Sequence, residues 1–493
     1  MTITNAFWSG DKSRRIEQRI VVEGDLVLET PALFGNGDSD ALTDMPLLVD
    51  DYDTVSPLLT GATLAGALRA YLWARENDYR TADPDPSDKP EHQKSLTEIL
   101  FGGFKGHDEG KQSPLIVDDA LGKKYGIQLR DGVRLNPKSR TAEDKGLFDM
   151  QVWQKGTTFP IRLELLVTRP RQLSDDDVDI YQKKLKLALL MALQGLTDDT
   201  ITLGARKNRG FGRITVKNWR VRQYDLKTTA GLTAWLTNGS HPFSELMAVN
   251  SPFAGYELED LPDARSYFRL EATFKLDGSL LIRANGQPQS KSPDMVHLSY
   301  DEETPILPGT SVTGALRQRA RRILSIVNQG KVDDWLNDLF GAEKMDNKAT
   351  ASRLIVEETI IEDPQFDLVQ NRVAIDRFTG GALESALFNE QPVFGKPDTC
   401  LHVNLTIRKP TEQDIGLVLL LLKDLWTGDL PLGGEISVGR GRLRGHCAKL
   451  IHQPKDSTLS EWVFKEVNEK LIFDKGRPED LEKFVRVLNG GAA

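Results

Sequence analysis

Ser56–Arg69 reads SPLLTGATLAGALR, and Thr304–Arg317 reads TPILPGTSVTGALR. Both give a strand end, a turn with one glycine, and a small-residue helix start closed by Gly-Ala-Leu-Arg. A segment written twice in one chain points to an internal duplication, and a repeat changes the reading of the whole fold. Downstream, Leu100-Phe101-Gly102 is echoed by Leu339-Phe340-Gly341. A strand-like run ending in acids comes next, Leu115–Asp119 against Leu354–Glu358, at equal spacing. Val133-Arg134-Leu135-Asn136 then matches Val373-Ala374-Ile375-Asp376, and Leu147-Phe148 matches Leu387-Phe388 beyond a polar tip. Each half ends on a leucine-rich helix and a glycine loop, GARKNRGFGR at Gly204–Arg213 and GGEISVGRGR at Gly433–Arg442. The shared order of these blocks indicates a tandem duplication.

A chain of 493 residues that is 39% hydrophobic can bury two cores. Only two cysteines are present, which excludes a disulfide framework and a cysteine-rich zinc site. Met1–Gly10 has no charged start followed by an apolar core, and no apolar run is long enough to cross a bilayer, so a cytoplasmic protein without a membrane partner is expected. The net charge of −9 argues against a wholly basic surface but leaves room for a local basic groove. Seven histidines are scattered without metal-ligand spacing. His297, three residues after Asp294, reads as a solvated loop histidine that could alternatively assist chemistry.

In chain order, Gln18–Phe34 alternates as a strand and ends in a Gly/Asp/Ser loop. Glu76–Lys94 is charged and proline-rich, a surface insertion or mobile loop. Val133–Trp153 reads as two strands around the tip Pro137–Lys145, and Asp176–Leu196 as a helix with Leu185, Leu189, Leu190 and Leu193 on its apolar face. The expected domains are 1–226, with an insertion at 77–112 and a hairpin at 133–153, and 266–453, with a hairpin at 371–392. A linker at 227–265, with a short helix around Leu232–Leu236, joins them. An amphipathic tail at 454–493 has no twin, and tail and linker are expected docking surfaces for neighbours. Strand, helix, paired strands, helix, strand in each half suggests an α+β chain of two tandem ferredoxin-like, split βαβ domains, the arrangement shared with RNA-recognition (RRM-like) modules.

The ordered set of Gly61–Arg69, Leu100-Phe101-Gly102, Leu135-Asn136 through Gly146-Leu147-Phe148, and Gly204–Arg213, repeated in the second half, resembles the RAMP superfamily, and more closely the backbone subunits of type III CRISPR effector complexes. The resemblance covers most of both halves and implies two such subunits fused. It implies binding along a guide crRNA, with the hairpins as thumbs that wedge into the guide–target duplex. It also implies cleavage of the target RNA beside each thumb by a loop aspartate, so the chain would be a metal-dependent, RNA-guided endoribonuclease within its complex. The partners implied are guide crRNA, target RNA, other RAMP backbone subunits and the large polymerase/cyclase-like subunit. The alternatives are a non-catalytic crRNA-binding scaffold and a stand-alone guide-processing endoribonuclease.

Asp44 in Thr-Asp-Met-Pro and Asp294 in Pro-Asp-Met-Val fall where the family's cleavage aspartate sits. RNA carries its own nucleophile, the 2′-hydroxyl, and needs it in line with the leaving 5′-oxygen, so splaying the backbone supplies rate by positioning. A carboxylate could hold a transiently bound Mg²⁺ or Mn²⁺ against the phosphate, or accept a proton. An aspartate in such a loop is equally a turn or cap residue. The remaining candidates are for RNA binding. Arg206, Lys207, Arg209 and Arg213 crowd the first glycine loop, whereas the second has only Arg440 and Arg442. Thr60, Thr63, Thr310 and Ser311 stand at the helix starts, where hydroxyls cap and meet phosphate, and Arg69 and Arg317 recur a turn or two later. Arg134 and Arg377 sit on the two hairpins.

Overall fold

The computed structural model describes residues 15–37, 45–79, 90–103, 112–136 except 124, 142–170, 173–237 except 199, 244–245, 263–285, 293–327 except 302, and 332–490 except 346, 347 and 456. Strands predominate, with eight α-helices among the described residues.

The first half is built on the strand Arg15–Leu28. Its alternation sends Ile20, Val22, Leu26 and Leu28 into the core. Thr158–Arg169 and Ile214–Asp225 flank it antiparallel, Leu115–Val117 lies outside the former, and the short Ser244–Glu245 outside the latter. Helices Gly61–Asn77 and Asp175–Thr197 pack on this sheet through Leu64, Leu68 and Leu72 and through Leu185, Leu189, Leu190 and Leu193. Both start on a cap: the Thr60 hydroxyl accepts from the Thr63 N–H at 3.3 Å, and Ser174 accepts from Asp177 at 3.2 Å. The short linker helix spans Thr229–Leu236, capped by Thr228.

The second half repeats the plan. Tyr267–Asp277 lies between Cys400–Arg408 and Arg442–Gln453, with Leu354–Val356 and Thr359–Glu362 against the former. Helices Gly309–Val327 and Glu412–Trp426 supply its core leucines. The tail was expected to be a docking surface, yet its apolar side is used inside the chain. Ser460–Val467 pairs with Arg442–Gln453, Lys470–Lys475 pairs outside it, and Trp462 and Phe464 are buried. Helix Pro478–Leu488 then lies on Glu412–Trp426. The approach is close enough that a Cβ on Gly416 would collide with the Phe484 carbonyl oxygen.

Each half carries a projecting hairpin, Ile127–Leu135 with Ala142–Trp153 and Gln370–Ile375 with Ala382–Gln391. The first begins before the expected Val133 because Ile127 and Leu129 extend the alternation backwards. Its outgoing strand starts inside the expected tip, at Ala142.

The halves meet across one buried ion pair. Arg130, from the first hairpin, donates to Glu358 at 3.0 and 3.4 Å, with side chains 3% and 1% exposed. Burial pushes the Glu358 carboxyl above its ordinary range, and Arg130 and Tyr300 oppose that shift. Removing one member of such a pair leaves an uncompensated buried charge. Arg130→Met is expected to destabilise the chain by about 3–5 kcal/mol in urea unfolding, and Arg130→Met with Glu358→Leu by much less. Equal losses from the single and double variants would refute this reading.

Candidate functional site

Asp294 sits at the base of the second hairpin. The strand Met295–His297 that it precedes pairs antiparallel with Arg283–Asn285 and parallel with the outgoing hairpin strand, Met295 opposite Glu390. The Asp294 N–H donates to the Asn389 side-chain oxygen at 2.7 Å, and Asp294 Oδ2 accepts from the Asn389 N–H at 2.9 Å. This two-way link fixes the aspartate to the hairpin while the residue remains exposed. Its second oxygen, Oδ1, has no partner among the described residues. A single open carboxylate oxygen suits a cation that keeps most of its waters. Among the described residues no group of three His, Cys, Asp or Glu side chains forms a fuller metal cage.

Asp44 lies outside the described residues. Its neighbour Met45 makes a parallel bridge to Met150 on the outgoing strand of the first hairpin, as Met295 does to Glu390. In that register Asp149 stands where Asn389 stands in the second half. Sequence reasoning overlooked Asp149, although the in-register pairs Leu147-Phe148 and Leu387-Phe388 already aligned it with Asn389.

His297 is not a solvated loop residue. It is buried, with Nε2 2.9 Å from the Ile306 carbonyl and Nδ1 3.2 Å from the Ile282 nitrogen. Nδ1 is also 3.2 Å from the Leu280 carbonyl; since the Ile282 N–H can only donate, the neutral ring that accepts it at Nδ1 carries its proton on Nε2, towards Ile306. Burial pushes its pKa down to about 4. The ring ties the loop before helix Gly309–Val327 to the strand end at Ile282.

The basic candidates divide. Thr60 and Thr63 hold the exposed start of the first helix, where Ala62 and Gly66 are also uncovered, and Arg69 is partly buried along the same helix. Arg206 stacks on Phe148, 4.7 Å from the ring centroid, and Lys207 beside it is exposed. Desolvation lowers the pKa of Arg206, and the surrounding protein together with the like-charged Arg408 lowers that of Lys207, whose side chain still reaches water. Arg209 and Arg213 were expected on phosphate, but both are turned into the second half. Arg209 donates to the Phe340 carbonyl at 2.6 Å and Arg213 to Glu357 at 2.9 Å. Burial, then the neighbouring Arg317 and Arg206, pushes Arg209 down to about 10. Arg317 likewise serves structure, donating to the Gly341 carbonyl at 2.6 Å and to Asn337 at 2.7 Å. Arg440 is buried and engaged by Glu435, Glu390, Gln370 and Ser279, so it is out of a phosphate's reach. Thr310 and Ser311 are partly covered, and Arg442 is exposed. Arg377 is exposed at the tip of the second hairpin, and the Arg134 side chain lies outside the described residues.

Both hairpins present apolar side chains to solvent. Leu129, Val133 and Leu147 do so on the first, and Val373, Ile375, Leu387 and the 100% exposed Phe378 on the second. No helix among the described residues is long and apolar enough to cross a membrane.

The His297 geometry predicts a pH response. The unfolded chain binds a proton near pH 6.5, whereas the folded one refuses it until about pH 4. Stability contributed by the neutral ring is therefore full above pH 6.5 and falls as pH drops towards 4, by up to ~3 kcal/mol. His297→Gln should flatten the slope of unfolding free energy between those values, at some cost at pH 7. An unchanged slope would show that the ring is not held neutral.

A family model described as the RAMP superfamily matches residues 25–215 and 273–444, each stretch ending just beyond a glycine loop. No curated protein matches the chain.

Proposed function

The chain belongs to the RAMP superfamily, a family associated with CRISPR effector complexes, and from that premise we propose that it is a fused pair of backbone subunits of a type III complex. In this reading each half is a ferredoxin-like domain, with strand orders Leu115–Val117, Thr158–Arg169, Arg15–Leu28, Ile214–Asp225 and, in the second half, Leu354–Val356, Cys400–Arg408, Tyr267–Asp277, Arg442–Gln453. Guide crRNA runs past the exposed helix start at Thr60, Thr63 and Gly66 and past Arg206 and Lys207. Base-pairing target RNA meets the hairpins.

The observation that carries the proposal is Asp294, an exposed carboxylate pinned to the root of a hairpin whose tip bears an uncovered phenylalanine. Apolar side chains inserted into a duplex unstack it and splay the backbone. Splaying frees the 2′-hydroxyl to line up with the leaving 5′-oxygen, a geometry that a regular duplex forbids. Asp294 Oδ1 then lies ready to hold a hydrated Mg²⁺ or Mn²⁺ or to receive the hydroxyl proton, and the cation would supply charge neutralisation at the phosphate. Asp44 has the same role in the first half, where Asp149 adds a second carboxylate in place of Asn389. The net charge of −9 and the burial of His297 favour this over a stand-alone guide-processing enzyme.

One observation favours the scaffold alternative: Asp294 Oδ2 accepts a backbone N–H, as a purely structural aspartate would. Substitution in the assembled complex separates the two. With labelled target RNA, guide and Mg²⁺, Asp294→Asn should remove one cleavage product and Asp44→Asn another, each by at least ~10²-fold, while target binding is unchanged. A complete product ladder from both variants would leave only the scaffold.

A further inference from the structure

The roots of the two hairpins are packed in unlike ways. In the first, Met150 on the outgoing strand and Phe211 in the glycine loop are both buried in the apolar core. Glu390 stands at the register of Met150, since Met295 faces it as Met45 faces Met150. Arg440 stands where Phe211 does, in a loop of the same backbone: Arg206 and Gly210 have φ of 56° and 90°, and Glu435 and Gly439 of 57° and 93°. An apolar pair in one half is thus an ionic pair in the other, and Glu390 is 0% exposed.

Two glutamates and three arginines meet there. Arg440 donates from Nη2 to Glu390 Oε2 at 3.0 Å and from Nε to Glu435 Oε2 at 2.8 Å. Arg372, on the incoming strand, repeats the grip: its Nε is 3.0 Å from Glu390 Oε2 and its Nη2 3.6 Å from Glu435 Oε2. A guanidinium edge of this kind ordinarily takes both oxygens of one carboxylate. Here two edges each span one oxygen from each of two carboxylates, which holds those oxygens within reach of a single proton. Arg283 takes the other oxygen of Glu435 at 3.2 Å, and Gln370 and Ser279, both uncharged, are the remaining partners of Arg440. Glu390 Oε1 is buried and meets no donor among the described residues. Such an oxygen is costly while charged and tolerable in a neutral carboxyl. Burial, then Glu435, pushes the Glu390 carboxyl above its ordinary range, against Arg372 and Arg440. Burial would raise Glu435 too, but its hydrogen bonds from Glu390 and Arg440 bring it below.

The pair lies beside the support of Asp294. Glu390 follows Asn389, and successive strand residues point to opposite faces. Holding Glu390 against the glycine loop therefore turns Asn389 towards Asp294 on the other side.

We propose that Glu390 and Glu435 share one proton and act as a clamp, a pair of positioning residues that seats the second hairpin on the second glycine loop and holds Asn389 against Asp294. Met150 and Phe211 cannot form one at the first root. The inference concerns the hairpin itself and does not depend on RNA being cut.

A carboxyl that binds its proton more tightly in the closed root strengthens that root at low pH, and the gain is lost as pH rises from 4.5, the ordinary value, through the raised one. Hydrogen exchange of the full chain, read by mass spectrometry and corrected for the intrinsic rate, tests this. Protection of residues 388–391 should fall at least ~tenfold between pH 4.5 and about 8, while residues 148–151 of the first hairpin stay level. Glu390→Gln keeps the shape and the bond to Glu435 but has no proton to lose, so it should stay protected across the whole range. Wild-type hairpins that respond alike, or not at all, would overturn the proposal without any variant. So would Glu390→Gln, if it kept the full pH response or lost protection at every pH.

Discussion

Glu358 cannot be buried as a carboxylate without a cation beside it, and the guanidinium of Arg130 supplies one. That constraint makes two similar halves a single body. Arg130 reaches it from a hairpin, so the hairpin is anchored at its base by the neighbouring half. The first glycine loop follows, with Asn208 donating to the Ser352 carbonyl at 3.0 Å and Arg209 to that of Phe340. A Cβ on Gly210 would collide with the Glu358 backbone nitrogen, so glycine is needed there for room as well as for its positive φ. The loop that looked like a phosphate cradle is therefore largely a joint between domains.

The two hairpin roots differ in one informative way. The Asn389 backbone N–H donates to the Asp294 carboxylate and its side-chain oxygen accepts from the Asp294 N–H, which orders the aspartate without neutralising it. Asp149 at the same register has the same backbone donor but carries a carboxylate where Asn389 carries a neutral amide, so the first hairpin has more negative charge at its root. The two hairpin roots are thus alike in register but not in charge.

Much of the fold was legible because period and spacing are properties of the chain itself. Arg15–Leu28 shows its buried face in alternation, and Asp175–Thr197 shows it in leucine spacing. The duplication doubled each signal. What could not be read was where charge goes. Arg209, Arg213, Arg317 and Arg440 look alike on paper, but the fold brings them a carbonyl, a glutamate, a helix end and the buried Glu390, each 20 residues or more away in sequence. His297 misled for the same reason: its partners at Ile282 and Ile306 are brought together only by the fold. The tail was recognised as amphipathic, but amphipathicity does not say whether the covering surface belongs to the same chain.

Among the described residues the C-terminal strands give the second half a wider margin than the two-residue strand Ser244–Glu245 gives the first. Arg442–Gln453 would otherwise show a long open ladder, and Ser460–Val467 closes it. The new rim, Lys470–Lys475, is short, mostly exposed and begins and ends on lysine. Lysines on an outermost strand repel any chain that tries to extend the sheet. The extension thus acts as a selvage, a finished border that keeps a crowded, many-stranded protein from knitting to its neighbours along the wrong seam.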